Sequence, residues 1–254
     1  MVKQGFLILF LSVITLFSKA ENGEGEVNDS LCVPEIGYSH YVKDLHASIA
    51  DSTLNFKALD YALRGYHYLK AKGKLKDTTM LTVVDFSMSG NEKRMFLIDL
   101  NSMKLVRKSL CAHGVNSGAL YPRKFSNIDE SRQSSLGFYV TGKAWNDRRL
   151  KYCLRLDGQE SFNDNAQSRG IIIHAADYAT QEFIDKYGTL GRSYGCPAIP
   201  WDGYEELINT IKEGTCFYIY YPDRKYLKYS KMINRSLYLE DFAKSHGLSE
   251  TKPL

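Results

Sequence analysis

Two side chains of this sequence, His174 and Cys196, have the types and the surroundings needed for covalent catalysis. His174 follows three β-branched residues, 171–173, and Cys196 lies between Gly195 and Pro197. A cysteine attacks only as the thiolate, and a thiol is mostly protonated at neutral pH, so a nucleophilic cysteine needs a nearby base. An imidazole can take the proton. The pair therefore predicts a cysteine nucleophile and a histidine general base.

The elements that must position this pair lie within residues 170–201. The β-branched run 171–173 predicts a buried strand that ends at His174. A short helix is expected next, with Gly188 as its C-cap, followed by a Gly- and Ser-rich loop, 191–195, that returns the chain to the cysteine. The apolar residues of that helix are Tyr178, Phe183, Ile184 and Tyr187.

Less specific interpretations compete with catalysis. A buried thiol and an ordinary core histidine are the commoner reason for such residues in isolation. The Gly/Ser/Pro loop around Cys196 favours function, because binding and catalytic residues concentrate on loops. Another interpretation makes His174, Asp177 and Cys196 metal ligands, but the chain has no C-x-x-C or H-E-x-x-H spacing to support it. We expect neither a metal nor a cofactor.

Residues 193–196, Ser-Tyr-Gly-Cys, with His174 upstream, resemble the signature of the YkuD-type L,D-transpeptidases, cysteine enzymes that cross-link peptidoglycan. The usual motif is a histidine followed by Ser/Thr-His-Gly-Cys, one apolar residue, and Arg or Asn. Here Tyr194 stands at the second histidine, and Pro-Ala at 197–198 replaces the last two residues. The run Gly-Arg-Ser-x-Gly-Cys-Pro-Ala is closer to a divergent murein L,D-transpeptidase branch. The resemblance covers about residues 79–221.

The resemblance implies a reaction on peptidoglycan stem peptides. Cys196 would attack the carbonyl of the third residue of a stem tetrapeptide, with His174 as base, and release D-alanine. The carbonyl of Ala175 would orient the imidazole, with Asp177 as the alternative. Backbone N–H groups of the loop would bind the oxyanion. The oxyanion and loop residues are Gly195, Tyr194 and Ser193.

Two alternatives to cross-linking stay open. If water resolves the acyl-enzyme, the protein is an L,D-carboxypeptidase. If the departures at Tyr194 and Ala198 abolish catalysis, the protein is an inactive domain that binds the cell wall.

Other residues are candidates for binding the substrate. Ala198 stands where the motif has Arg or Asn, so a different cation must pair with a substrate carboxylate. Arg192 is favoured because it lies four residues before the cysteine. His113 ends a predicted strand and could line the cleft, and Ser135 lies in a serine-containing loop that the resemblance places nearby. The remaining candidate cations are Arg169 and Arg123.

The rest of the chain predicts a fold that is mainly β with α (α+β), a YkuD-like β-sandwich or mixed-sheet catalytic domain with a preceding helix. We expect a loose leader over residues 21–51, a catalytic domain over 52–222 that begins with a helix at 55–72, and a C-terminal extension over 223–254. Asp202 and Glu205 predict a capping box at the start of a later helix.

The N-terminus predicts export. Lys3 precedes an apolar run at 6–17, and Ser-Lys-Ala at 18–20 resembles a cleavage site, so residues 1–20 read as a signal peptide. We expect a protein of the periplasm or cell envelope with no stable membrane span after cleavage. The formal net charge of +4 falls further without the lysines of that segment, which argues against nucleic-acid binding. The sequence leaves the oligomeric state open.

The chain has five cysteines. Cys111, Cys153 and Cys216 lie in strand-like stretches, where a buried free thiol is the commoner explanation. We therefore predict no obligatory disulfide.

Overall fold

A computed structural model describes residues 32–248. The predicted signal peptide, the first part of the predicted leader and the last residues of the C-terminal extension lie outside this range. The strands are β1 Met80–Asp85, β2 Met95–Asp99, β3 Lys104–Ser109, β4 Gly137–Asp147, β5 Lys151–Gly158, β6 Ile172–Ala175, β7 Ala198–Ile199 and β8 Cys216–Tyr220. The α-helices are α1 Cys32–Ile49, α2 Phe56–Ala71, α3 Gln181–Tyr187, α4 Tyr204–Ile211, α5 Arg224–Tyr229, α6 Lys231–Asn234 and α7 Leu237–Ser245.

The strands form one eight-stranded mixed sheet in the order β3-β2-β1-β8-β4-β5-β6-β7. The pairs β1–β8 and β6–β7 are parallel, and the other neighbours are antiparallel. The predicted fold of a mixed sheet preceded by a helix is confirmed. No helix within the described residues is both long enough and apolar enough to cross a membrane.

Helix α2 packs across the centre of the sheet and forms as predicted. Asn55 is its N-cap, and the side chain accepts from the backbone N–H groups of Lys57 and Ala58. One face of the helix is buried, as its apolar spacing requires. Gly65 sits against the ring of Phe138, and a Cβ at this position would fall 2.0 Å from the ring's Cζ. A side chain larger than glycine would separate the helix from the sheet.

The predicted loose leader is wrong for residues 32–49, which form α1. Tyr38, Val42, Leu45 and Ile49 are buried at helical spacing and join the main core. The Tyr38 Oη atom also donates to the carbonyl of Asp60 on α2, at 2.9 Å. The polar residues that fill the other face of this helix concealed the stripe in the sequence.

The C-terminal extension contacts the rest of the domain in two places. Helix α7 contacts α1 and α2, and its Phe242 ring meets the Tyr38 ring edge-on at 5.3 Å. Buried Glu160, at the end of β5, accepts from Tyr226 Oη at 2.8 Å and from Ser230 Oγ. These contacts attach α5 and α6 to the sheet. Up to residue 248, the extension is therefore part of the folded domain.

The capping box predicted from Asp202 and Glu205 is not formed. Helix α4 starts later, at Tyr204, and its N-cap is Gly203 in the left-handed region at φ 58°, without a side-chain capping bond. The backbone carbonyl of Asp202 instead accepts from Arg107 on β3. A tertiary contact thus displaced the local motif.

Truncating Phe242 to alanine tests the packing of the extension. Phe242 is 1% exposed, so Phe242→Ala is expected to lower the free energy of unfolding by about 3 kcal/mol, measured by urea denaturation. Tyr229→Ala, at a side chain that is 59% exposed, should change it by less than about 0.5 kcal/mol. Equal stability of the two variants would contradict the packing of α7.

Candidate active site

Strands β6 and β7 bring the predicted nucleophile and base to neighbouring positions. His174 on β6 pairs with Ala198 on β7, two residues after Cys196. The cysteine therefore enters β7 alongside the strand that carries the histidine. In this resting arrangement Cys196 Sγ donates to the carbonyl of Gly170 at 3.6 Å. The backbone N–H of Ile172 hydrogen-bonds the same sulfur.

The tautomer of His174 follows from its backbone contact. His174 Nδ1 lies 3.0 Å from the carbonyl oxygen of Ala175. A carbonyl only accepts, so Nδ1 carries the proton and Nε2 of the neutral ring keeps its lone pair. The prediction that Ala175 orients the imidazole is confirmed. Asp177, the alternative, instead accepts from Trp201 Nε1 at 2.6 Å.

The metal interpretation needs Asp177 as a ligand, but the carboxylate of Asp177 accepts the hydrogen bond from Trp201. Among residues 32–248, no group of three or more His, Cys, Asp or Glu side chains is arranged to hold a metal ion.

Burial sets the protonation states of the pair. It raises the pKa of the Cys196 thiol, and the Ile172 N–H and the charge of Arg169 only partly offset this effect. Burial also lowers the pKa of His174. Both shifts favour the neutral thiol and the neutral imidazole over the ion pair. The structure therefore holds a neutral thiol and a neutral imidazole on neighbouring segments of the chain.

The loop that carries Cys196 is shaped by a buried serine. Ser193 Oγ donates to the carbonyl of Cys196 at 2.6 Å and accepts from the N–H of Gly195 at 3.1 Å. Gly195 is thus engaged at rest. In the described part of the chain, the backbone N–H groups of Tyr194 and Cys196 have no hydrogen-bond partner. These two groups, rather than that of Gly195, are free to bind an oxyanion.

Glycine is required at position 195. Its φ is 125°, a backbone conformation that L side chains rarely adopt. An added Cβ would lie 2.9 Å from the carbonyl oxygen of Gln133. Ser134, a neighbour of Ser135 in the loop that the resemblance places near the cleft, donates from Oγ to the Gly195 carbonyl at 3.1 Å. The serine-containing loop therefore packs directly against the loop of the nucleophile.

Arg169 has its donors occupied within the protein. Nη1 donates to the carbonyl of Ser126 at 2.8 Å and to Ser135 Oγ at 2.7 Å. Nη2 donates to the carbonyl of Gln133 at 2.6 Å and to Ser131 Oγ at 3.2 Å. The predicted bidentate pairing of Arg169 with a substrate carboxylate would break these bonds. Ser135 likewise supports Arg169 and is not left free for a substrate.

His113 is buried and its ring is fully hydrogen-bonded, so the prediction that it lines the cleft is wrong. Nδ1 accepts from Arg94 Nη2 at 2.8 Å, and Nε2 donates to the carbonyl of Gly118 at 3.2 Å. Burial, reinforced by the charge of Arg94, lowers the pKa of His113 to about 4. Its backbone carbonyl accepts from the Ser193 N–H at 2.9 Å. His113 therefore supports the cysteine loop from beneath.

Tyr194 and Arg132 form the exposed rim of the site. Tyr194 is 71% exposed, and the guanidinium carbon of Arg132 lies 4.6 Å from the centre of its ring. Both line a cavity of about 510 Å³, which Arg169 also lines. Arg192 is exposed and donates only a long bond, 3.3 Å, to the carbonyl of Gly118. Arg132 was missed because nothing near it in the sequence connects it to Tyr194.

Comparison with known proteins gives the family. The family model described as the L,D-transpeptidase catalytic domain matches residues 50–220, more than half of the chain. The chain belongs to the L,D-transpeptidase catalytic-domain family. Comparison with curated proteins finds no match.

Solved structures of L,D-transpeptidases align with part of this chain at low sequence identity. An L,D-transpeptidase from Mycobacterium smegmatis aligns at 12% identity with a TM-score of 0.37, covering 56% of this chain and 59% of that chain. L,D-transpeptidase 1 of Mycobacterium tuberculosis aligns at 11% identity with a TM-score of 0.33, covering 56% of this chain and 62% of that one. The chain thus spans less than two thirds of either relative.

Within this L,D-transpeptidase domain, the structure gathers some predicted residues and separates others. His174, Cys196 and the loop 193–195 come together. Tyr178, which the sequence placed only on an apolar helix face, lies near His174 and the loop that leads to Cys196, since its ring meets that of His174 edge-on at 6.5 Å and its carbonyl accepts from the Gly191 N–H.

The protonation states give a testable pH dependence. Because burial raises the thiol pKa, the rate of Cys196 alkylation by iodoacetamide should rise with pH, with a midpoint above the ordinary thiol value. Mass spectrometry measures the rate of alkylation. The Cys196→Ala variant gives the background alkylation of the other cysteines. Of these, Cys111, Cys153 and Cys216 are buried free thiols in the structure. A rate that is already constant below neutral pH would indicate a preformed ion pair instead.

Proposed function

We propose that this protein is an exported cysteine acyltransferase, a murein L,D-transpeptidase that acts on peptidoglycan stem peptides. The observation that carries the proposal is the free Nε2 of His174, fixed by the Ala175 carbonyl, on the strand beside Cys196. Membership of the L,D-transpeptidase family supports the substrate class. No cofactor is needed, because the nucleophile, the base and the oxyanion donors all belong to the chain.

The reaction proceeds in two steps. The Cys196 thiol passes its proton to His174 Nε2 as the sulfur bonds to the carbonyl carbon of the third stem residue. The C–N bond to the terminal D-alanine then breaks, and His174 returns the proton to the leaving amine. In the second step, the side-chain amine of a diamino acid on a neighbouring stem attacks the thioester, gives up a proton to His174 and releases the thiol. A new cross-link results.

Two free backbone N–H groups stabilise the tetrahedral intermediate. We assign this role to the backbone N–H groups of Tyr194 and Cys196, because the Gly195 N–H is hydrogen-bonded to Ser193 and Pro197 has no N–H. Tyr194 therefore replaces the histidine of the usual motif through its backbone, while its exposed ring forms a wall of the cavity.

Arg132 and Arg192 are the cations that hold the substrate carboxylate. Both are exposed, and neither has a carboxylate partner within residues 32–248. Arg169 and His113 are unsuited because their donors are occupied inside the protein. Asp129 and Glu130 line the same cavity as Arg132 and favour an amine-bearing substrate there.

The substrate also sets where the protein works. Peptidoglycan lies outside the cytoplasmic membrane, so the signal peptide predicted over residues 1–20 would deliver the protein to the periplasm or cell envelope. Nucleic acid is not a partner in this proposal.

Turnover of purified disaccharide-tetrapeptide tests the proposal. The protein should release D-alanine and form cross-linked dimers, both detected by mass spectrometry. Cys196→Ala should abolish both products, and His174→Ala should lower the rate by about 10²- to 10⁴-fold because the base is lost. Cys216→Ala, a buried thiol on β8 outside the site, is the matched control and should keep the activity. Release of D-alanine without dimers would instead indicate the L,D-carboxypeptidase.

Acylation by a carbapenem separates the enzyme from an inactive wall-binding domain. The protein should gain the mass of one carbapenem molecule, and the Cys196→Ala variant should not. A protein that binds peptidoglycan, yields no product and gains no mass would be the wall-binding domain.

A further inference from the structure

The side chain of Arg169 is a cation whose hydrogen-bond partners are uncharged. Its four hydrogen bonds go to two backbone carbonyls and two serine hydroxyls, all of them uncharged. Among the described residues, no carboxylate lies within ion-pair distance of it. The guanidinium is partly buried, and burial lowers the pKa of Arg169. A desolvated, unpaired cation acts on nearby charges more strongly than one in water.

The cation lies close to the loop of the nucleophile. Arg169 Nη2 lies 3.4 Å from the point where a Cβ would stand on Gly195, the residue before Cys196. The charge of Arg169 lowers the pKa of Cys196, against the larger opposing effect of burial. The position of the cation is fixed, because its fork is held on four sides by the loop 126–135.

Among residues 32–248, no second charged group shifts the pKa of Cys196. The titratable groups that interact with Cys196 are Cys153 on β5, Tyr178 after β6, and Arg169. The thiol and the phenol are neutral at pH 7, and burial keeps His174 neutral. Asp129 interacts with Arg169 and not with the sulfur. Apart from the imidazolium that His174 forms on taking the proton, Arg169 is thus the one cation among residues 32–248 that acts on a negative sulfur.

We propose that Arg169 is a positioning residue that stabilises the thiolate of Cys196 while its fork holds the serine-containing loop against the loop of the nucleophile. The proposal rests on Cys196 being the nucleophile of the proposed function. Ionisation of the Cys196 thiol then depends less on proton transfer to His174, because a fixed cation stabilises part of the negative charge that develops on the sulfur.

The two tasks of Arg169 use the same atoms. Nη2 donates to the Gln133 carbonyl, which lies 2.9 Å from the Cβ position of Gly195. The adjacent Ser134 holds the Gly195 carbonyl. The charge and the backbone that presents the sulfur therefore move together. A lysine would keep the charge and lose the fork, which gives a way to separate the tasks.

The experiment is the pH dependence of Cys196 alkylation by iodoacetamide in three variants. Arg169→Gln removes the charge and should lower the rate at a fixed pH below the midpoint by about tenfold, as its midpoint moves to higher pH. Arg169→Lys keeps the charge and should stay close to the unsubstituted protein. Arg155→Gln is the matched control, because Arg155 faces Ile172 across the sheet but is exposed and paired with Asp157; it should change nothing.

Two results would overturn the proposal. An unchanged midpoint in Arg169→Gln would show that the charge does not reach the sulfur. Equal losses in Arg169→Gln and Arg169→Lys would show that Arg169 acts only by holding the loop. Circular dichroism checks that each variant is folded. If Arg169→Gln does not fold, Arg169→Lys alone decides. A raised midpoint of its alkylation curve then overturns the proposal, and an unchanged midpoint supports it. Because iodoacetamide needs no peptidoglycan, the outcome is independent of whether the protein cross-links stem peptides.

Discussion

The parallel pairing of β6 with β7 is the constraint on which the site depends. It fixes His174 opposite Ala198 and so brings the preceding Cys196 beside the same strand. His174 is buried there, and Cys196 is partly buried. Burial is what keeps the thiol and the imidazole neutral at rest. One short ladder therefore sets both the geometry and the reactivity.

Around this pair the chain uses neutral hydrogen bonds to hold its loops. Ser193 closes the turn of the nucleophile, Ser134 holds the Gly195 carbonyl, and the backbone of His113 supports Ser193 from below. Buried polar groups need such partners, since an unsatisfied one costs about 1–3 kcal/mol. Arg94 does the same for His113 and for the Cys111 carbonyl. The cations of the interior thus serve as scaffolding, while the exposed Arg132 and Arg192 remain available to a ligand.

The sequence correctly predicted the strands and helix ends that depend on neighbouring residues along the chain. The β-branched run before His174 formed β6, and Gly188 ended α3 in the left-handed conformation at φ 77°. Helix α1 was missed because its polar face dominates its composition. The roles of Ser134, Arg132 and His113 depend on loops that meet only in the folded chain, and no spacing reveals such contacts. Asp202 shows the reverse case, in which a valid local motif lost to a tertiary contact with Arg107.

The two departures from the usual motif are explained by the same packing. Ala198 is fully buried, paired with His174 on one side and bridged to Ala112 on the other, so the position has no room for a solvated arginine. In the proposed function the cation for the substrate comes from another loop. Arg132 is a candidate, and its guanidinium stacks on the ring of Tyr194, the residue at the position of the second histidine. An exposed tyrosine suits that contact better than histidine, because its neutral ring face attracts a guanidinium at every physiological pH, whereas a protonated histidine would repel it.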